Sequence, residues 1–180
     1  MKFSCVRLLF FLLLCLPVFG CATVSDRPGV PDVHASRYDD AGIKTTIGST
    51  LLKQDASRAN DINVHCFNGH VVLVGEADND FRAVAEDISR RTEGVVKVTP
   101  HWFPSGTAST LKDAEIEAEI DMKRLFAEKK AAPFVALDVW GGHVVLSGLV
   151  SEQTVIDQAK STIKKVPHVK SVTSYLELSR

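Results

Sequence analysis

The residues of this chain whose types could support acid–base or metal chemistry are its six histidines: His34, His65, His70, His101, His143 and His168. Two of them, His70 and His143, occupy equivalent places, each directly after a two-residue turn signal and before a Val-Val-Leu run. Neither has a cysteine, aspartate or glutamate nearby at the spacing of metal ligands. We therefore expect both histidines to flank their turns and to contact the neighbouring strand.

The sequence also lacks the common catalytic signatures: it has no Gly-rich phosphate loop, no Gly-x-Ser-x-Gly and no His-Glu-x-x-His. Asp78 and Asp80 stand close together, but they follow a predicted hairpin, where either can cap a helix. Cys66 alternates with Ile62 and Val64 as on the buried face of a strand, with no neighbour in sequence to lower its pKa. We therefore predict a non-catalytic protein with no cofactor, no metal site and an inert thiol at Cys66.

The turn that precedes each of these two histidines belongs to an internal repeat. Residues 67–75 return as residues 140–148, an offset of 73, and both copies read aromatic, two turn residues, His-Val-Val-Leu, any residue, Gly. The same offset aligns apolar residues upstream, and it slips by one residue downstream. The slip places an inserted residue after Gly148, in a loop where insertions are tolerated. The chain therefore holds two copies of one module.

The apolar pattern of each module predicts its elements in the order helix, strand, strand, helix, strand. In the first module a helix capped at Asp39 or Asp40 carries Ile43, Ile47 and Leu51 at i, i+4 and i+8. Asn68-Gly69 then predicts a type I′ hairpin turn. In the second module, Thr110 or Asp113 is the predicted cap of the corresponding helix.

The last strand of the first module contains Pro100, which cannot donate a ladder hydrogen bond, so we predict an edge strand. Gly94 is predicted to end the preceding helix. The fold class that follows is α+β: two tandem repeats, each a three-stranded mixed sheet covered by two helices on one face. We place the first domain at 39–103, a linker at 104–110 and the second domain at 111–180.

Residues 1–20 are predicted to be a signal peptide rather than part of the fold. Lys2 and Arg7 form a basic start, and residues 8–19 form an apolar run too short to span a bilayer as a free helix. Residues 21–38 include two prolines and a glycine, Pro28, Gly29 and Pro31, and we predict a flexible tether there.

The end of the apolar run resembles the lipobox of bacterial lipoproteins, because Gly20 supplies the small residue before Cys21. That resemblance implies that Cys21 is the lipid attachment site, carrying acyl chains such as palmitate. Ala22 after the cysteine resembles lipoproteins that are sorted to the outer membrane. The alternative is an ordinary signal peptide cleaved near Ala22.

The repeat itself resembles the BON domain, a bacterial envelope module. Modules of that family show a hairpin ending in Gly, a second helix with a central Ala and a Gly-Val before the last strand. The matching positions here are Gly75, Ala85 and Gly94-Val95 in the first copy, then Gly148, Ala159 and His168-Val169 in the second. His168 departs from the glycine of the pattern. The resemblance implies an outer-membrane lipoprotein with two BON domains that supports envelope integrity and binds phospholipid or surfaces rather than catalysing a reaction.

Charge limits the choice of ligand. Without Lys2 and Arg7 the chain keeps 19 basic against 22 acidic residues, so no strong basic field favours nucleic acid. The predicted membrane-binding or partner-binding residues lie at the end of the second module's first helix and just beyond it: Met122, Lys123, Arg124, Leu125, Phe126, Lys129 and Lys130. The alternative is a solvated helix end whose cations suit the helix dipole.

That helix carries a second apolar stripe, on the side opposite Ile116 and Ile120. Leu111 and Ala118 begin the stripe and Phe126 ends it. We expect the stripe to meet the first module, a protein partner or acyl chains. Five acids on the same helix argue against anionic lipid: Asp113, Glu115, Glu117, Glu119 and Asp121. Two functions therefore remain, membrane phospholipid binding and docking on an envelope protein, and the oligomeric state is left open.

Overall fold

The structure, a computed structural model, describes residues 33–127 and 134–179, with the side chains of 39–120 and 135–179. The first module contains α1 (Val33–Gln54), α2 (Ala56–Ala59), β1 (Ile62–Phe67), β2 (His70–Glu76), α3 (Asn79–Arg91) and β3 (Lys97–Phe103). The second contains α4 (Thr110–Ala127), β4 (Phe134–Trp140), β5 (His143–Val150), α5 (Gln153–Ile163) and β6 (Ser171–Leu178). The predicted order of helices and strands is confirmed, with the short helix α2 added in the first module.

Each module forms one three-stranded sheet, with orders β1-β2-β3 and β4-β5-β6. In both sheets the hairpin strands pair antiparallel, and the last strand pairs parallel to the central one. The strand that contains Pro100 therefore lies at a sheet edge, as predicted. The α+β class with mixed three-stranded sheets is confirmed.

The first helix begins earlier than predicted. Because α1 starts at Val33, residues 33–38 are helical, and the predicted tether (21–38) is wrong in that part. The physical reason is the distribution of helix breakers: Pro31 is the last proline before α1, and no glycine follows until Gly42. Asp39 and Asp40 consequently lie inside the helix rather than at its N-cap.

Both hairpins turn through residues with positive φ. The values are 52° and 74° at Asn68 and Gly69, and 57° and 87° at Gly141 and Gly142. This is the type I′ geometry that the sequence predicted. A Cβ added at Gly69 would also lie 2.6 Å from the carbonyl oxygen of Gly94, so the turn packs against the loop before β3.

That loop shows where the two copies differ. Gly94 has φ 85°, and its counterpart His168 has φ 68°, a conformation that costs a residue with a Cβ about 1–2 kcal/mol. The second module thus keeps the backbone shape without the glycine. Histidine is among the residues that tolerate the left-handed region best.

The helices of each module cover one face of its sheet, as predicted. In the first module α1 and α3 enclose a buried cluster that includes Ile43, Ile47, Leu51, Val71, Leu73, Phe81 and Ala85. In the second, α4, α5 and the loop after α5 enclose Ile116, Ile120, Val139, Val144, Leu146, Ile163 and Val166. Each module therefore has an apolar core of its own.

The uncovered faces of the two sheets pack against each other. Alternate residues of β2 and β5 point away from the helices and meet in a third cluster, formed by Val72, Val74, Phe103 and Val145 with Trp140 and Tyr175 beside them. We call this contact between the sheets the seam. The layers therefore run helices, sheet, sheet, helices.

Candidate functional site

An aspartate of the first helix clasps the hairpin turn in each module. The Asp40 carboxylate accepts the N–H groups of Asn68 and Gly69 at 2.7 and 2.8 Å. Its counterpart Asp113 accepts those of Gly141 and Gly142 at 2.7 and 2.9 Å. Charge-assisted bonds of this kind hold the turn against the helix.

The predicted caps must therefore be corrected. Asp39, Asp40, Thr110 and Asp113 all lie within their helices, because α1 and α4 begin at or before them. Asp113 still contributes to the start of α4, since its carboxylate accepts the N–H of Ser109 at 2.7 Å. Sequence reasoning took these aspartates for caps because their nearest partners in the chain are backbone N–H groups. The capping role predicted for Asp78 is confirmed, since its carboxylate accepts the N–H of Phe81 at 2.8 Å.

The contact of Asp113 with the turn also bears on the five acidic residues predicted to form one face of α4. Asp113 is buried against the turn, so it does not belong to an exposed acidic face. Glu115 and Glu117 are exposed and Glu119 is half-buried, while the side chain of Asp121 lies outside the described part. The predicted five-acid face is therefore smaller than the sequence suggested.

The second apolar stripe of α4 is uncovered wherever its side chains are described. Ile116 and Ile120 are buried in the module's own core, as predicted. Leu111, on the predicted stripe, is 81% exposed, and Ala118 is exposed as well. The first module packs through the seam and leaves this part of α4 open.

Most of the predicted site residues lie beyond what the structure describes. The backbones of Met122, Lys123, Arg124, Leu125 and Phe126 continue α4, without described side chains. Cys21, Lys129 and Lys130 lie outside the described residues altogether. Their roles as lipid attachment, membrane-binding or partner-binding residues stay predictions.

The repeat gives each of these α4 residues a counterpart in the first module. Ser49, Leu52 and Lys53 are the first-module counterparts of Met122, Leu125 and Phe126, and all three are exposed. Leu51, the counterpart of Arg124, is 1% exposed and belongs to the core. The sequence reasoning did not notice that Arg124 is the counterpart of a core leucine.

A charged cluster lies in the seam, where equivalent positions of the two modules meet. The Asp138 carboxylate on β4 is 4% exposed, and it accepts the side-chain amide of Asn63 at 2.6 Å. Its other oxygen lies 2.8 Å from Nε2 of His65 on β1. His65 and Asp138 are counterparts in the repeat, so this contact lies near a pseudo-two-fold axis.

A second pair of counterparts meets further along the seam. Nδ1 of His101 on β3 lies 2.8 Å from the phenol oxygen of Tyr175 on β6. Phe103 packs against the His101 ring edge-on, with centroids 4.8 Å apart, and also contacts Trp140 and His143 at 6.0 Å. Sequence reasoning missed this cluster, because it joins residues about seventy positions apart in the chain.

The turn histidines behave as predicted. Nε2 of His70 lies 2.8 Å from the Thr99 hydroxyl, and Nδ1 of His143 lies 2.8 Å from the Ser171 hydroxyl, each on the neighbouring parallel strand. Nδ1 of His70 also lies 3.1 Å from Glu177 of the other module. Burial, followed by Lys97, lowers the pKa of His70, and Glu177 opposes that shift.

The prediction for Cys66 agrees with its surroundings. The thiol is buried and donates to the Asp40 carboxylate, with the sulfur 3.1 Å from the oxygen. Burial, with this carboxylate, raises the pKa of the Cys66 thiol to about 12. The thiolate that would react or bind a metal is therefore scarce near neutral pH.

Within 33–127 and 134–179, no group of three histidine, cysteine or acidic side chains is placed to hold a metal ion. No helix in that part of the chain is long and apolar enough to cross a membrane.

The chain is similar to a known family of domains. The sequence model of the BON domain matches residues 39–101 and 112–180, which together exceed half of the chain. The chain belongs to the BON domain family. Its two modules are BON domains, as the motifs of the repeat indicated, and the seam is the contact between them.

Two relatives, each matched over more than two-thirds of its own length, are similar to this chain. The chain is 29% identical over 145 residues to osmotically-inducible protein Y of Escherichia coli (strain K12), covering 77% of this chain and 72% of that protein. It is 28% identical over 145 residues to an uncharacterized protein in the gshII 5'region of Anaplasma centrale, covering 78% and 95%.

Solved structures give a more distant likeness. The C-terminal domain of CdsD, the structural protein of the type III secretion system of Chlamydia trachomatis, matches with 11% identity and a TM-score of 0.33. That match covers 78% of this chain and 67% of the solved one.

Proposed function

We propose that this BON-domain protein is a non-catalytic envelope lipoprotein, anchored through Cys21 on the periplasmic face of the outer membrane. Its second BON domain binds membrane phospholipid through the end of α4 and thereby supports envelope integrity. The single observation that carries the proposal is the uncovered apolar stripe of α4, which begins at Leu111 and Ala118. Exposed apolar surface beside cations is typical of a contact site.

The comparison of the two domains supports the same surface. The first domain carries the polar residues Ser49 and Lys53 at exposed positions where the second carries Met122 and Phe126. The second domain has therefore gained apolar groups that its own core does not require. Lys123, Lys129 and Lys130 would place cations next to them for phosphate groups.

The anchor is tested on the full-length precursor. Cys21→Ala should block lipid labelling and leave the precursor uncleaved, since acylation of the cysteine precedes cleavage in lipoproteins. Ser25→Ala, a few residues downstream, is the matched control and should process normally. A Cys21→Ala precursor that is cleaved and labelled like the natural one would contradict the anchor.

The lipid surface is tested separately, with unlipidated residues 22–180 and co-sedimentation on vesicles that contain phosphatidylglycerol. The natural chain should sediment with the vesicles and be released by salt, whereas Phe126→Asp should lose most of its binding and remain folded. Leu52→Asp puts the same acid on the corresponding helix of the first domain, and we expect it to bind normally. Equal losses in both variants would count against a site on α4.

A protein adaptor is the second candidate, favoured by the exposed Glu115 and Glu117 on the same helix. These acids would repel anionic headgroups and attract a basic protein surface. If the chain fails to bind any vesicle, and crosslinking through α4 recovers an envelope protein, then docking rather than lipid binding is its function.

A further inference from the structure

We propose that the seam between the two BON domains is an acid-sensitive joint, which loosens when His101 takes up a proton. The proposal rests on the surroundings of His101 in the seam and is independent of the membrane-binding function proposed above.

His101 is half-buried in the seam, and the groups that contact its ring carry no negative charge. From β6 it meets the Tyr175 phenol, 2.8 Å from its Nδ1. From its own strand it meets the Phe103 ring, and the only charged neighbour that affects it from β5 is another histidine, His143. The carboxylates of the seam pair with other histidines, Asp138 with His65 and Glu177 with His70.

The protonated, positively charged form of His101 is therefore disfavoured in the closed seam. Burial, followed by repulsion from His143, lowers the pKa of His101 below the 6.5 of an ordinary histidine. Burial also raises the pKa of the Tyr175 phenol, so the phenol stays neutral and offers no compensating charge. The closed seam thus binds fewer protons than an opened one, and acidification favours opening.

The other titratable groups of the seam fall into two sets. His70 acts in the same direction as His101, because burial and Lys97 lower its pKa against the pull of Glu177. His65 is set apart by its direct contact with Asp138, 2.8 Å from a carboxylate oxygen. Substitution can therefore tell the histidines apart.

Opening would have a clear consequence for the surface of the protein. Val72, Val145, Phe103 and Trp140 would become exposed together, while the helix-covered cores would stay intact. An apolar patch of this kind offers a surface that the closed form lacks.

The test compares residues 22–180, which include both sheets, at about pH 7.5 and about pH 5, the range in which histidine titrates. X-ray scattering should show a larger radius of gyration at the lower pH, while the far-ultraviolet circular dichroism stays unchanged. His101→Gln keeps a hydrogen-bonding group opposite Tyr175 but cannot be protonated. Its radius of gyration should increase much less than that of the natural chain, because only His70 is left to respond in the same direction.

Two variants serve as controls. His168→Asn removes an exposed histidine outside the seam with a residue that tolerates positive φ, so the acid response should persist. His65→Gln should keep the response, because the contact of His101 with Tyr175 is unchanged.

Several results would overturn the proposal. They are an unchanged radius in the natural chain, loss of dichroism in parallel with expansion, or a response that vanishes in His65→Gln and persists in His101→Gln. If His101→Gln fails to fold, the titration of the His101 ring in the natural chain is followed by NMR instead. A titration midpoint below 6.5 supports the joint, and one at or above 6.5 refutes it.

Discussion

The two faces of each sheet are built from different kinds of residue, although the same strands supply both. Toward the helices, β2 and β5 present Val71 and Leu73, and Val144 and Leu146, all fully or nearly fully buried among apolar neighbours. Toward the seam, the strands combine a few valines with histidines, an aspartate and hydroxyl groups. The helix face supplies the folding free energy of a domain, and the seam face orients one domain on the other.

Comparison of the two copies of the repeat shows the same difference between the helix face and the seam face. On the helix face the two copies carry identical residues at the positions just named, because each core has the same space to fill. On the seam face the copies differ in a complementary way, as in the contact of His65 with Asp138. A seam of two identical faces would place like residues together near its axis, so the divergence of the copies is what provides the pairing.

The largest effect is expected from the helix face. Leu73→Ala removes a side chain with 0% exposure and should lower the free energy of unfolding by about 2–5 kcal/mol. Chemical denaturation followed by circular dichroism measures the loss. Leu52→Ala, at a position 47% exposed on α1, is the control and should change stability by less than about 0.5 kcal/mol. Similar losses in the two variants would contradict the assignment of Leu73 to the core.

The helix face is also the part that could be predicted from the sequence. Local spacing was sufficient there: Ile43 and Ile47 recur at a helical period, and Asn68-Gly69 meets the φ requirement of its turn. The edge position of Pro100 followed from a missing donor. In each case the physical constraint acts within a few residues of the chain.

The seam could not be predicted in the same way, because its partners lie far apart in sequence. Nothing near His65 indicates that its ring meets Asp138, and nothing near His101 indicates Tyr175. The aspartate clasps were missed for a related reason. Asp113 reaches a turn 28 residues away, while local patterns favour a cap, which is the nearest use for such a side chain.

The second effect in size is expected at Asp138. Asp138→Ala removes the buried acceptor for the exposed Asn63 amide and the half-buried His65 ring, and the loss of hydrogen bonds to a charged group should cost about 1–3 kcal/mol. The loss should appear in chemical denaturation of the two-domain chain. Glu152→Ala, an exposed acid before α5 in the same domain, is the control and should have little effect.

A double-mutant cycle with His65→Ala would show whether the loss belongs to the seam. The coupling energy between the two substitutions should be favourable, because the side chains lie in direct contact. Additive effects would mean that Asp138 stabilises its own domain only.

A smaller effect of opposite sign is expected at Ser147. Its hydroxyl is fully buried and has no hydrogen-bond partner among the described residues, whereas its counterpart in the first domain is Val74. Ser147→Ala should therefore raise the free energy of unfolding by about 1 kcal/mol, because the unpaired hydroxyl disappears. Val74→Ala is the matched substitution on the other sheet and should lower stability. Destabilisation by Ser147→Ala would reveal a partner for the hydroxyl.

The smallest effect is expected at the rim of the seam, where the Lys97 ammonium lies 2.9 Å from the Glu177 carboxylate. The side chains are 56% and 45% exposed, so Glu177→Gln should cost only about 0.2–1 kcal/mol at low salt, and less at high salt. Asp157→Gln, at an exposed acid on α5, is the control for loss of charge and should show no such salt dependence.

The pH dependence of this rim pair separates it from the histidine joint. The hydrogen bond from Lys97, followed by the charges of His70 and Lys97, lowers the pKa of Glu177 from its usual 4.5. Its contribution is therefore present above pH 4.5 and is lost as the pH falls through the lower value in the folded chain. The effect of His101 on the seam sets in at a higher pH than that of Glu177, as the pH falls below the 6.5 of an ordinary histidine. Denaturation of Glu177→Gln at about pH 7 and about pH 5 should therefore show nearly the same small loss, because the carboxylate stays ionised at both. A loss that vanishes by pH 5 would assign the acid response to the rim instead of to His101.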